Sequence, residues 1–238
     1  MSSDSFTLGD VASLDDLRVF LGRAARIEDG SVRLIAGSGV LAVYVAVLYP
    51  AGLLDETPTV LALRTFALVT AEDAEADAFD VVVPIGSLAS RLERARDGIG
   101  DIASHFEPAA TQRVTISLPM SVASATWAAI SPPRGGWHAL PSTETALLDA
   151  AARAGIDEIA TAVPDAVGES IVRRVRTEVW SRPIPGLEHV PAGAGFAALS
   201  MGFLGDDAVR ILETGPWTRL TTARGHILVR RKAWTLAR

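Results

Sequence analysis

SVRLIAGSGVLAVYVAVLYPAGLL, residues 31–54, is the stretch on which the fold turns. From Leu34 to Leu54 it carries no charge, which is about the length a membrane-spanning helix needs. Its interior argues against a helix. Gly37, Gly39, Pro50 and Gly52 cut the run into pieces of strand length, and Val40–Tyr49 is rich in valine and tyrosine. β-Branched and aromatic residues favour the pleated, half-buried surface of a sheet. The stretch therefore reads as two strands, Ser31–Ala36 and Val40–Tyr49, joined by a hairpin turn at Gly37-Ser38-Gly39. A second uncharged run, Val114–Pro133, contains Pro119 and ends in Pro132-Pro133, so it too reads as strands, at Arg113–Pro119 and Ser124–Ile130. No membrane association is expected, and the first residues have neither the basic nor the apolar segment of a secretory signal.

Working outward toward the N-terminus, Ser13 is placed to cap a helix over Leu14–Ile27, whose Leu14, Leu17, Phe20, Leu21 and Ala24 recur at helical spacing. Toward the C-terminus, Thr59–Thr70 and Asp80–Pro84 read as strands on either side of an acidic connector. A helix follows from Leu88 to Asp97, capped by Ser87. Ser131–Ser142 is the densest run of helix and strand breakers in the chain, and marks a boundary. Beyond it helices dominate: one from Ser142 to Ala152, one over Ile156–Ala162, and one over Ala166–Trp180 capped by Asp165. Ser181–Pro191 reads as irregular, and Asp206-Asp207 as the opening of a helical turn through Leu212. Trp217–Thr222 and His226–Arg231 read as a hairpin across Ala223-Arg224-Gly225. The expected class is α+β. A strand-rich region, 1–131, precedes a linker, 132–141, and a helix-rich region, 142–238, ending in a basic β-hairpin.

Composition narrows the chemistry. There are 238 residues and no cysteine, which removes disulfides, thiolate metal sites and cysteine nucleophiles and fits a cytoplasmic, reducing setting. Arginine outnumbers lysine 21 to 1, asparagine is absent and Gln112 is the sole glutamine, a bias typical of a high-GC bacterial genome. The histidines, His105, His138, His189 and His226, never stand at a spacing that puts two on one helix face, so no metal is expected. No Gly-x-Ser-x-Gly elbow or phosphate-binding Gly-x-x-x-x-Gly-Lys loop occurs, and no cofactor is expected. Gly193-Ala194-Gly195-Phe196-Ala197-Ala198 matches the dinucleotide fingerprint Gly-x-Gly-x-x-Ala. The two prolines just ahead of it speak against the strand that fingerprint needs, and close helix packing is the expected role of its small residues.

The charge is uneven. The net charge of −6 divides into −9 over residues 1–150 (10 basic, 19 acidic) and +3 over 151–238 (12 basic, 9 acidic). Thr214–Arg238 has six basic residues and no acid. A helix followed by a basic hairpin has the outline of a winged nucleic-acid module, with Arg173, Arg174 and Arg176 on the helix and Arg219, Arg224, Arg230 and Arg231 on the hairpin. The same hairpin also suits docking on an acidic surface of the chain or of a second copy. Arg134, Trp137 and His138, in the breaker-rich boundary, form a candidate ligand or partner site. With no catalytic motif, the leading expectation is a non-catalytic protein-interaction module that forms a homo-oligomer or binds another protein. A nucleic-acid-associated regulator and an enzyme or ligand binder stand as alternatives.

Overall fold

The computed structural model describes residues 5–27, 30–52, 55–69, 78–102, 112–122, 125–129, 131–163 and 168–231. The chain packs as two compact units, Met1–Val45 with Arg64–Ala128, and Ala46–Leu63 with Ala129–Arg238. The first element is β1 (Ser5–Leu8), followed by α1 (Val11–Ile27), β2 (Ser31–Gly37), β3 (Val40–Leu48), β4 (Thr59–Ala67), β5 (Phe79–Pro84), α2 (Ile85–Ile102) and β6 (Val114–Ser117). Then come β7 (His138–Thr143), α3 (Thr145–Ala162), α4 (Glu169–Ser181), β8 (Pro183–Ile184), β9 (Leu187–Pro191), α5 (Ala192–Ser200), β10 (Val209–Thr214), β11 (Trp217–Thr222) and β12 (Gly225–Arg230). The fold is α+β. Its main sheet has eight strands in the order β5-β2-β3-β4-β12-β11-β10-β7, and β1 with β6 and β8 with β9 form two-stranded ribbons.

In the first unit, the decisive stretch is the hairpin its glycines imply. β2 and β3 pair antiparallel from Val32↔Val45 to Gly37↔Val40. Ser38 and Gly39 take φ of 52° and 74°, the left-handed pair that a two-residue hairpin turn demands. Alternation follows: Val32, Leu34, Leu41, Val43 and Val45 are buried, while Arg33 and Tyr44 point the other way. Leu14, Leu17, Phe20 and Leu21 of α1 and Leu88 and Leu92 of α2 supply the helical side of this core. Each such side chain contributes about 1.5–3 kcal/mol on burial. On the opposite sheet face, Arg33 holds Asp80 through two hydrogen bonds, of 2.8 and 2.6 Å, and donates to the Ala128 carbonyl at 2.7 Å. These bonds tie the 3₁₀ turn at Thr126–Ala129 to the sheet.

In the second unit, α3, α4 and α5 pack together, and α5 packs on β12. Leu148, Ala152, Trp180, Ala194, Ala197 and Ala198 are buried there, as are Ile211, Leu220, Ile227 and Val229 of the sheet.

Several local expectations are corrected. The cap of α1 is Asp10, not Ser13: its carboxylate accepts the Ser13 backbone N–H at 2.6 Å, and this bond holds its pKa below the ordinary 3.8. Thr126–Ala129 is a 3₁₀ turn, not a strand. Ser142 caps nothing, because β7 runs on to Thr143. The two helices expected after it are one, α3, since Gly155 is a packing site and not a stop. The stretch expected to be irregular, Ser181–Pro191, ends α4 at Ser181 and then forms the β8–β9 hairpin, Pro183–Pro191, turned at Gly186. Val209–Thr214 is a strand, not a helical turn, with Val209 and Ile211 buried on either side of the exposed Arg210. His105, the Asp165 cap and the acidic connector at 71–77 lie outside the described residues.

Candidate functional site

The fingerprint-like Gly193–Ala198 opens α5, and a strand, β9, does precede it. The sequence reading underestimated β9, but the glycines are not a phosphate cradle. A methyl on Gly195 would stand 2.7 Å from the Leu148 carbonyl oxygen, and one on Gly193 would stand 3.0 Å from that of Trp180. The Ala192 N–H at the helix start already donates to the Arg182 carbonyl at 2.7 Å. On α3, a methyl at Gly155 would collide with the Trp180 ring, which stacks on Phe196 at 4.5 Å. The small residues thus let three helices close on one tryptophan.

The basic hairpin has two faces. Side chains alternate along β10, β11 and β12, and the registers fix their neighbours. Thr221 pairs with Arg210 on one side and His226 on the other, Arg219 with Leu212 and Leu228, and Trp217 with Thr214 and Arg230. Arg210, Arg219, His226 and Arg230 therefore share one face. A side chain at Gly225 would run into Phe203, just after α5, so Gly225, Ile227 and Val229 face the helices. The four basic side chains face away from them. Burial first, then the positive charges of Arg219 and Arg210, hold the His226 pKa below 6.5. Its Nδ1 lies 3.1 Å from the Thr221 hydroxyl oxygen.

The other candidate residues are dispersed. Arg231 donates to Glu213 at 3.3 Å, and Arg224, at the hairpin tip, donates to the Leu204 carbonyl at 3.1 Å. Arg173, Arg174 and Arg176 lie on α4, which packs on α5 and so stands on the helical side of the sheet. The seven arginines expected to act together are thus divided between opposite sides, and Arg210, which the sequence reading omitted, joins Arg219 and Arg230. Of the second candidate set, Trp137 donates through its Nε1–H to the Pro133 carbonyl at 3.1 Å, and the Arg219 guanidinium lies 4.6 Å from its ring centre. Arg134 and His138 are exposed, and His138 pairs with Glu213 across β7 and β10. Trp137 thereby belongs with the sheet arginines.

On α1, Asp15 and Asp16 line a shallow depression with Asp10 and Val19, but both are engaged. Asp15 accepts from Arg18 at 2.8 Å and Arg96 at 3.0 Å, and Asp16 accepts from Arg64. Among the described residues, no cluster of three or more histidine, aspartate or glutamate side chains is arranged to hold a metal. No described helix is long and apolar enough to cross a membrane.

Two family models match the sequence. Residues 1–112 match a domain of unknown function (DUF8010), and residues 132–234 match another (DUF8185). No curated protein matches. In fold, the chain is similar to the DNA polymerase III subunit beta from Borrelia burgdorferi, with a TM-score of 0.51 and 7% identity over 96% of this chain and 64% of that one. The Caulobacter crescentus pol III beta gives 0.46 and 11% identity over 97% and 66% of the two chains. A DNA polymerase sliding clamp from Pseudomonas aeruginosa gives 0.45 and 14% over 97% and 65%. The chain thus spans slightly less than two thirds of the length of the structures it resembles.

Proposed function

We propose that this chain is a non-catalytic protein-interaction module that works by self-association. One observation carries the reading: 96% of the chain follows the fold of a protein whose name makes it a subunit of DNA polymerase III. A subunit acts through contacts with other chains. The charge division supports the reading, since −9 over residues 1–150 and +3 over 151–238 give copies of the chain opposite surfaces to bring together. The exposed apolar side chains Val19, Ile156, Ile171 and Met120 offer anchors for such contacts. The division of the sequence into a first region, 1–131, and a later one belongs to the same proposal, supported by two separate family matches over 1–112 and 132–234, the second of which takes in the expected linker 132–141. So does a cytoplasmic setting, which the cysteine-free sequence fits.

Size-exclusion chromatography with light scattering tests it. The expected mass is an integral multiple of that of one chain, rising with concentration. A monomer at every concentration from about 1 to 100 μM, the range in which weak specific contacts form, overturns the reading.

A further inference from the structure

We propose that the outward face of α1 docks antiparallel on the same face of α1 in a second copy of this chain. The inference rests on the self-association reading and names its surface. Leu14, Leu17, Phe20, Leu21 and Ala24 turn one side of α1 into the core of its unit. The opposite side, at steps of three and four residues, carries Asp15, Asp16, Val19, Gly22, Arg23 and Arg26. Val19, at the middle of that face, is 51% exposed. Gly22 beside it is exposed too, and beyond its own helix backbone nothing lies within 4 Å of where a β-carbon would stand. An apolar knob thus stands next to a notch. The charges change sign along the face, from the two aspartates before Val19 to the two arginines after it.

A second copy is the occupant this layout fits. A twofold axis passing between Val19 and Gly22 reverses the helix direction and sets Val19 of each copy over Gly22 of the other. Asp15 lies four residues before Val19, and Arg26 four residues after Gly22, so the same axis brings Arg26 of each copy to the aspartates of the other. A parallel pairing would instead set acid on acid and base on base. Asp15 already accepts from Arg18 and Arg96, and Asp16 from Arg64, yet the two side chains remain 41% and 39% exposed. A carboxylate has about four acceptor positions, so each can take a further donor. The exposed Ile171 of α4 has no such layout, because Arg173, Arg174 and Arg176 follow it and a second α4 would meet them with its own. One helix pair buries less than the roughly 800 Å² per partner of a standard interface, so the expected dissociation constant is about 10–100 μM.

The test is sedimentation equilibrium of the full chain and its variants, each shown by thermal melting to be folded. Val19→Asp should raise the dimer dissociation constant about tenfold or more. Gly22→Gln fills the notch with a good helix former, so it should weaken the dimer similarly while the melting temperature holds or rises. Arg26→Glu should weaken it severalfold, and Ile171→Asp should stay within about twofold of the parent. The sequence has no cysteine, so the pairing can be read directly. On oxidation, a mixture of Val19→Cys and Gly22→Cys chains should join unlike chains in preference to like ones. A parent that is monomeric from about 1 to 100 μM overturns the self-association reading, and this surface with it. A parent that associates, with Val19→Asp and Gly22→Gln associating as tightly, leaves that reading standing and overturns the assignment to α1. Cross-links that favour like chains overturn the antiparallel pairing.

Discussion

Gly195 illustrates how little room some side chains have. Its α-carbon faces the Leu148 carbonyl so closely that an added methyl would sit 2.7 Å from that oxygen, an atom of helical backbone that cannot swing aside. Gly195→Ala should therefore cost about 1–3 kcal/mol, measured by urea denaturation. Gly98 is the internal control: it lies exposed within α2 with nothing near its α-carbon, and Gly98→Ala should stabilise by about 0.5–1 kcal/mol. His226 sets a different dependence. Because its folded pKa lies below 6.5, the unfolded chain takes up a proton that the folded chain refuses. Stability is then fully present above about pH 6.5 and declines as pH falls from there toward the folded value. Melting temperatures between about pH 5 and 7.5 should fall with acid more steeply in the parent than in His226→Gln. A pH dependence equal in the two proteins would refute this assignment. None of these surroundings is legible from sequence, because each depends on which backbone atom or charge lies across a packing contact.

Periodicity read the β2–β3 and β11–β12 hairpins almost to the residue, because each pairs an alternating pattern with a Gly-containing turn. The turn at Ser38-Gly39 leads to a prediction. Its first position is a serine held at φ 52°, where asparagine is more comfortable, so Ser38→Asn should raise stability by a few tenths to about 1 kcal/mol. A fall in the denaturation midpoint would contradict the turn assignment. β10 was misread because Asp206-Asp207 resembles a helix start, and the six residues that follow are too few for period 2 to declare itself against period 3.6. That error hid Arg210, and with it the set of basic side chains that share one sheet face. Arg219 and Arg230 were visible as charges, but their common face emerges only when the strand registers are known.

The α+β class and the rough order of helices and hairpins followed from the sequence, whereas the assignment of segments to the two compact units did not. Ala46–Leu63 packs with the C-terminal unit, and within it Thr59–Leu63 pairs with β12 from His226 to Arg230. Hydrophobic runs say which segments are strands, not which neighbour each will choose. Removing residues 1–131 would strip β12 of that partner and leave its backbone groups open beside Ile227, Leu228 and Val229. Such a truncated chain should be insoluble on expression, while one retaining residues 46–63 through a short linker should be recovered in the soluble fraction. A soluble, cooperatively melting 132–238 fragment would show that the pairing is dispensable. The far end of the sheet needs no such partner. β7 borders β10 alone, and where it meets Arg210 it bulges, setting Pro141 and Ser142 against one residue. A proline there offers no N–H to an incoming strand, and the kink spoils the straight template that fibril growth copies. The β7 strand is thus a natural stop codon at its end of the sheet: copies of this protein brought together along that edge would meet through their side chains and not by extending one another's backbone.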